Sequence, residues 1–378
     1  MERLKTGLVG CGKVGHLHAP ALTRLSESVF TACCDADFDR AKRFAAQYGV
    51  KAYADVGEMV TQCGIQAVTI CTPHPVHAAP AIAAIRAGAH VIIEKPLAST
   101  LEDCDAILAA ARAAGIKTST ICQRRFYAPC QRIRRAIDEW KIGNPILGIV
   151  TMYGWRDEAY YAADPWRGKW REEGGGVLVN QSPHQLDLLQ WYMGPIDELF
   201  AFWGNLNHPY IEVEDTALAV IRFKNGGLGN IMVSNSQNPA LYCRVYVHGS
   251  NGASLGVQTD GGAMFVAGMS NILEPPVNDL WTVRGEEHLL TGWKQEDTDF
   301  FQKVNAIEYY HQLQLQDFLQ AILQNREPYI TGEEGRKTVE LFTAIYRSQR
   351  DGRPVKFPFL PETGRSDMDG RLAVHHPI

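Results

Sequence analysis

One short segment constrains this chain more than any other. Leu8-Val9-Gly10-Cys11-Gly12-Lys13-Val14-Gly15 sets three glycines in the pattern G-x-G-x-x-G, directly after an apolar run and ahead of a helical stretch. The first glycine permits a tight turn, the second lets the backbone approach a pyrophosphate, and the third allows close helix–strand packing. The unpaired N–H groups of the following helix point at the anion. Asp35 stands twenty residues after Gly15, at the end of the next apolar run, Phe30–Cys34. A carboxylate there accepts hydrogen bonds from both hydroxyls of an adenosine ribose and repels a 2′-phosphate. Ala36 follows, so no arginine adjoins it, although Arg40 and Arg43 lie on the next helix. The pattern predicts NAD rather than NADP, bound by Gly10, Gly12, Lys13, Val14, Gly15 and Asp35. Pro20 should bend the first helix, with His16 and His18 as helix-surface or packing residues.

The fingerprint opens a repeating rhythm. Apolar runs at Phe30–Cys34, Ala67–Cys71, His90–Ile93 and Thr118–Cys122 alternate with helical stretches closing on glycine: Phe38–Tyr48, Val76–Ala87 and Leu101–Ala114. Glycine past a helix end supplies the left-handed cap, and Ser99 with Glu102 reads as a capping box. Strands alternating with such helices predict right-handed βαβ units and a doubly wound parallel sheet, the Rossmann arrangement, within an α/β chain.

After about residue 145 the texture changes. Thr216–Phe223 and Leu228–Ser234 alternate apolar and polar around Asn225-Gly226-Gly227, a hairpin signal. A second hairpin is expected at Leu241–His248 and Ala253–Gln258, and helices at Tyr309–Leu323 and Gly335–Arg350. This half is an α+β domain with a large mixed, mostly antiparallel sheet whose open face is free to meet a partner. The 378 residues divide into 1–126, 127–360 and a tail, 361–378.

Composition excludes several classes. With 37 basic against 42 acidic residues there is no basic excess to neutralise phosphates, so no nucleic-acid partner is expected. No apolar run approaches the roughly 20 residues that a membrane span needs. Strand-like Leu4–Val9 leaves no room for a signal peptide, and nine cysteines without a Cys-x-x-Cys pair fit buried thiols in a reducing cytoplasm.

Two segments carry candidate chemistry. Glu94-Lys95-Pro96 ends the strand His90–Ile93, and ligands of such sheets bind at the carboxyl ends of strands. That puts Lys95 toward the nicotinamide, in a setting that lowers an ammonium pKa. The second segment runs from Gly174-Gly175-Gly176 to Asn180-Gln181-Ser182-Pro183-His184. Ser182 reads as an N-cap and Pro183 as the first helical residue, so the positive helix end keeps His184 neutral, as a general base requires. Neither His184 with Asp187 nor His74 with His77 has a third ligand at a recognisable spacing, so no metal is expected.

The fingerprint, Glu94-Lys95-Pro96 and the Gly174–His184 segment together resemble the glucose–fructose oxidoreductase/inositol dehydrogenase (Gfo/Idh/MocA) family, over residues 3 to about 358. The resemblance implies that Lys95 and His184 are the catalytic pair, His184 taking the substrate hydroxyl proton while Lys95 orients that hydroxyl. It implies that Cys71, Thr72, Pro73, His77, Glu94, Lys95 and Gln123 line the cofactor, and that Trp166-Arg167 approaches the nicotinamide. It also implies a homodimer or homotetramer formed through the open sheet face. Many members carry aspartate at the position of Asn180, which cannot take a proton, so Asn180 becomes a substrate-positioning residue.

Tyr153, Trp155, Arg156 and Tyr160 lie in a segment dense in aromatics and arginine, suited to the C–H face and hydroxyls of a sugar or cyclitol. Arg125 is a further candidate. Residues 269–301, with Trp281, His288 and Trp293, read as an irregular stretch folding over an active site. The leading expectation is NAD-dependent oxidation of a ring secondary hydroxyl of a sugar, glycoside or cyclitol. The alternatives are an NAD-retaining glycosidase-type enzyme using transient C3 oxidation, and a non-catalytic NAD-binding regulator.

Overall fold

A computed structural model describes residues 3–241, 243–259 and 275–362. The chain folds into two compact units, one of Met1–Gln123 with Asn305–Val339 and the other of Arg124–Val304 with Glu340–Ile378.

The first unit is built on β1 (Leu4–Val9), β2 (Ser28–Cys34), β3 (Lys51–Tyr53), β4 (Ala67–Ile70), β5 (His90–Ile93) and β6 (Thr118–Thr120). Their order is β3-β2-β1-β4-β5-β6, and every neighbouring pair is parallel. The order reverses between β1 and β4, where such sheets bind their ligands. Gly49 and Gly115 close the helices Phe38–Tyr48 and Leu101–Ala114 with φ of +68° and +65°. The capping box expected at Ser99 is shifted by one residue, because Thr100 accepts the Asp103 N–H at 3.2 Å. The helix Gly15–Arg24 continues through Pro20. β3 and the helix Val56–Cys63 are too short to show a clear period in the sequence.

The first unit ends at Gln123 rather than 126 and takes back Asn305–Val339. The helix Ala306–Leu323 returns to the first unit, where Leu315, Phe318 and Leu319 share a buried cluster with Leu8, Leu22 and Phe44. Gln314 fixes it to the sheet, accepting the Cys122 N–H at 2.9 Å and donating to the Thr120 carbonyl at 2.7 Å. Domain membership here follows three-dimensional packing, which a linear division cannot express.

The second unit contains β7 (Pro145–Tyr153), β8 (Ile196–Gly204), β9 (Thr216–Phe223), β10 (Leu228–Ser234), β11 (Cys243–Gly249), β12 (Ser254–Thr259), β13 (Val277–Trp281) and β14 (Val355–Lys356). The order is β13-β12-β11-β7-β10-β9-β8-β14, with β7 and β10 parallel and the other pairs antiparallel. Both expected hairpins form. The helix Pro183–Met193 covers one sheet face so closely that a Cβ on Gly148 would stand 2.6 Å from Met193. The other face is open, with Phe202 and Val220 each 62% exposed.

The stretch expected to be irregular at 269–301 is instead β13 followed by the helix Leu289–Lys303, with 269–274 outside the described residues. Trp281 and Trp293 meet edge to face at 4.9 Å, so these aromatics pack within the unit. Of the expected tail, 363–378 lie outside the described residues. Among the described residues no helix is long and apolar enough to cross a membrane. All nine cysteines are buried and free of disulfides, and burial pushes thiols such as Cys34 up to about 12.

Candidate active site

The glycine cradle divides its work unequally. Gly10 turns the chain at φ +98°, and a Cβ there would stand 2.6 Å from the Cys71 carbonyl carbon. One on Gly15 would lie 2.3 Å from the Gly10 carbonyl oxygen. These two glycines let protein pack on protein. At Gly12 a Cβ would meet nothing within 4 Å, which is the open approach that a pyrophosphate needs. Lys13 is exposed and Val14 half-buried beside it.

Asp35 is fixed by the backbone it must serve. Its Oδ2 accepts the Cys11 N–H at 2.8 Å and its Oδ1 the Asp37 N–H at 2.9 Å. The carboxylate is thereby aimed before any ribose arrives. Arg40 lies 3.6 Å from Asp35 Oδ2 and is half exposed. Cradle and carboxylate together fit a dinucleotide.

The carboxyl ends of β4 and β5 are tied together by His77, which is fully buried. Its Nε2 faces the Thr72 carbonyl at 2.8 Å and its Nδ1 the Pro96 carbonyl at 2.9 Å. Burial pulls this imidazole down, against the opposing pull of the two carbonyls. With both nitrogens engaged, His77 joins two loops. Pro73 is exposed, Thr72 and Gln123 are half-buried, and Cys71 is a buried thiol.

Glu94 is engaged on both oxygens. Its Oε1 lies 2.7 Å from His18 Nε2 and its Oε2 accepts the Lys95 N–H at 3.0 Å. Burial pushes this carboxyl up, but His18, His311 and Lys95 outweigh it and hold it at about 2. Glu94 is thus a buried anchor below Lys95, and the Lys95-Pro96 peptide is cis. The Lys95 side chain is half-buried.

In the second unit, His184 is 7% exposed on the helix Pro183–Met193. The expected cap at Ser182 does not form. A π-turn, Val177–Gln181, leads straight into the helix, and Ser182 has helical backbone angles with its Oγ donating to the Leu178 carbonyl at 3.2 Å. The free N–H groups sit earlier, at Gly176 and Leu178, where the Glu214 carboxylate accepts them at 2.9 and 3.0 Å. The helix-end argument for His184 therefore does not hold.

Asn180 belongs to a network that sequence spacing does not reveal. Its side-chain amide donates to Glu173 Oε1 and, at 3.2 Å, to the Tyr160 hydroxyl. Gln181 donates to the same phenol oxygen at 3.2 Å, and Arg167 also donates to it. Glu173 accepts the Gly168 N–H at 2.6 Å. Burial pushes Glu173 and Glu214 each up to about 7, against the hydrogen bonds that favour their charged forms. The Glu172-Glu173 pair ahead of three glycines, and Glu214-Asp215 ahead of β9, are the available signals.

Other candidates separate cleanly. Arg125 is 3% exposed and makes a bidentate pair with Asp187, its Nε donating at 2.8 Å and its other nitrogen at 2.6 Å, with its guanidinium over Trp191. The Asp187 carboxylate thus holds its guanidinium inside the second unit. Tyr153 lies on the open sheet face, its hydroxyl donating to Met232 Sδ at 2.9 Å, away from the face that the His184 helix covers. Arg156 is buried and lies over the Tyr160 ring, Trp155 is half-buried beside it, and Arg167 stacks on both Tyr160 and Trp166.

Known proteins share this architecture along almost its whole length. A myo-inositol 2-dehydrogenase from Thermotoga maritima is 28% identical over 363 residues, spanning 93% of this chain and 98% of its own. A 1,5-anhydro-D-fructose reductase from Ensifer adhaerens is 29% identical, spanning 95% and 98%. The crystal structure of the WlbA dehydrogenase from Bordetella pertussis, in complex with NADH and UDP-GlcNAcA, superimposes with a TM-score of 0.83 at 28% identity, covering 95% of this chain and 99% of that one. The model of the oxidoreductase family's NAD-binding Rossmann fold matches residues 4–121 and that of the GFO/IDH/MocA C-terminal domain matches 130–254. With both of its domains matched in order, this chain belongs to the Gfo/Idh/MocA family of oxidoreductases.

Proposed function

We propose that this protein is an NAD-dependent dehydrogenase that oxidises a ring secondary hydroxyl of a sugar, glycoside or cyclitol to the ketone. The observation that carries the reading is the cradle: an open approach at Gly12 beside an Asp35 carboxylate already aimed by two backbone amides. The similarity to a dehydrogenase of myo-inositol and to a dehydrogenase complexed with NADH and UDP-GlcNAcA supports the substrate class.

Gly10 to Gly15 and Asp35 hold the cofactor, and bound NAD supplies the hydride acceptor. His184 takes the hydroxyl proton as the C–H bond is broken, and Lys95 orients the oxygen and stabilises its developing negative charge. Asn180, whose amide N–H groups are held by Glu173 and Tyr160, meets the sugar hydroxyls with its carbonyl oxygen as acceptor. Arg156, Tyr160 and Trp155 supply the aromatic and cationic wall.

The open sheet face is the surface on which copies of this chain pair. Phe202 lies opposite Leu218, and Phe200 opposite Val220, in one apolar strip across β8 and β9. Nine buried free thiols support a reducing compartment.

The test is NADH formation, followed by its near-ultraviolet absorbance, across free sugars, sugar acids, nucleotide sugars and inositols. Turnover with at least one ring alcohol is expected. Stoichiometric NAD binding without turnover on any of them would overturn the reading.

A further inference from the structure

Two helices and a strand end bring three buried side chains of metal-ligating type to one point in the first unit. They are His18 from the helix Gly15–Arg24, Glu94 at the end of β5, and His311 from the helix Ala306–Leu323, respectively 0%, 8% and 7% exposed. One ligand atom from each lies within 4.8 Å of the other two. Among the described residues this is the one group of its kind.

The tautomer of His311 decides what this point can hold. Its Nδ1 donates to the Ile307 carbonyl one helical turn back, at 2.6 Å. In the neutral ring Nε2 then carries a lone pair, and it faces Glu94 Oε1 at 3.8 Å. A lone pair opposite a carboxylate oxygen, both out of water, is repulsive unless a cation lies between them. The remaining orientation is also provided: Glu94 Oε2 is held by the Lys95 N–H, while His18 Nδ1 has no hydrogen-bond partner among the described residues. What His18 Nε2 meets therefore sets its tautomer.

The three ligand atoms are close enough for a small ion to draw them together. Glu94 Oε1 lies 2.7 Å from His18 Nε2 and 3.8 Å from His311 Nε2. Metal bonds of about 2.0–2.1 Å at a tetrahedral angle set ligand atoms roughly 3.3 Å apart, so an ion entering here widens the first separation and closes the second. The two imidazoles are perpendicular at 89° with centroids 5.0 Å apart, an arrangement that suits rings directed at a common point. A histidine giving its second N–H to a backbone carbonyl, beside a carboxylate held by an amide, is the outer arrangement that metal sites use.

We propose that His18, Glu94 and His311 bind a divalent transition metal, with zinc the best match to two imidazoles and one carboxylate. The ion pins the helix Ala306–Leu323 to the end of β5 and so holds the backbone that carries Lys95. These ligands come from three distant stretches, with no local spacing to mark them, and the sequence alone therefore points to no metal.

The protein is expressed in medium supplemented with Zn²⁺ or, separately, Co²⁺, and purified without chelator. Metal is counted by mass spectrometry, and the Co²⁺ form is examined for its visible ligand-field spectrum. One equivalent per chain and a tetrahedral Co²⁺ spectrum are expected. His311→Gln should lower metal content about tenfold or more, the loss that follows when a site's ligand set is disturbed. His18→Asn serves the same purpose if the first variant does not fold, with NAD binding reporting the fold. Wild-type protein without stoichiometric metal would overturn the proposal and leave a proton on His311 as the occupant. Metal content unchanged in the variants would overturn it equally, because the ion would then lie elsewhere.

Discussion

The carboxylate of Glu214 caps the backbone N–H of Gly176 at 2.9 Å, at the true beginning of the helical run that ends in the His184 helix. The same carboxylate takes the Leu178 N–H and the Tyr346 hydroxyl at 2.8 Å. Glu173, seven residues before Asn180, holds the loop from the other side by accepting the Asn180 amide. The segment bearing Asn180 and His184 thus hangs between two buried carboxyls, and neither is visible as a site residue from spacing alone.

These carboxyls make stability depend on pH. Each is raised from an ordinary 4.5 to about 7. Between those values the folded protein binds more protons than the unfolded chain, so their contribution is largest below 4.5 and declines until about pH 7. The thermal midpoint should fall as pH rises through this window and level off above it. Glu173→Gln, scanned from acid to neutral pH, should flatten that slope, and an unchanged slope would contradict the assignment.

Arg125 and Asp187 form a buried, bidentate ion pair. Removing one partner leaves the other charged and dehydrated, at a cost of about 3–5 kcal/mol. Asp187→Ala should therefore lower unfolding stability in denaturant by that order. A loss below about 1 kcal/mol would return Arg125 to the substrate candidates.

On the proposed reading, Asp35 sets the choice of cofactor. Hydrogen bonds to a charged acceptor contribute about 1.5–3 kcal/mol, so Asp35→Ala should raise the KM for NAD roughly 10- to 100-fold. With the carboxylate gone, Arg40 is released toward a 2′-phosphate and the KM for NADP should fall. Steady-state kinetics with both cofactors checks the pair, and equal efficiency in the unaltered protein would contradict the preference for NAD.

Much of this was legible in the sequence, for identifiable reasons. Gly10, Gly15 and the glycine caps are demanded by local backbone geometry, and local geometry is written locally. The hairpin at Asn225-Gly226-Gly227 was readable on the same ground. The return of Leu315, Phe318 and Leu319 to the first core was not, because an apolar helical stripe does not name its partner. The Ser182 cap failed because Glu214, remote in sequence, had already supplied the acceptor at the helix start. The Asp187 partner of Arg125 and the Met232 partner of Tyr153 were not legible, because pairing and sheet register are set by residues remote in sequence.

The open face should be sensitive to charge. Val220→Lys places an ammonium in the apolar strip that includes Phe202 and Leu218, without touching the opposite, buried face of β9. Sedimentation should show the variant shifted to a smaller species than the unaltered chain. Identical sedimentation of the two would remove this face from the assembly.

The most direct measurement is the single-turnover rate of NADH formation by His184→Ala beside the unaltered protein, with NAD saturating and a ring alcohol that the unaltered protein oxidises. Loss of a general base costs about 10²–10⁴-fold, so the rate should fall by that order while NAD affinity stays unchanged. A rate within a few-fold of the unaltered protein would contradict the assignment of His184 as the base.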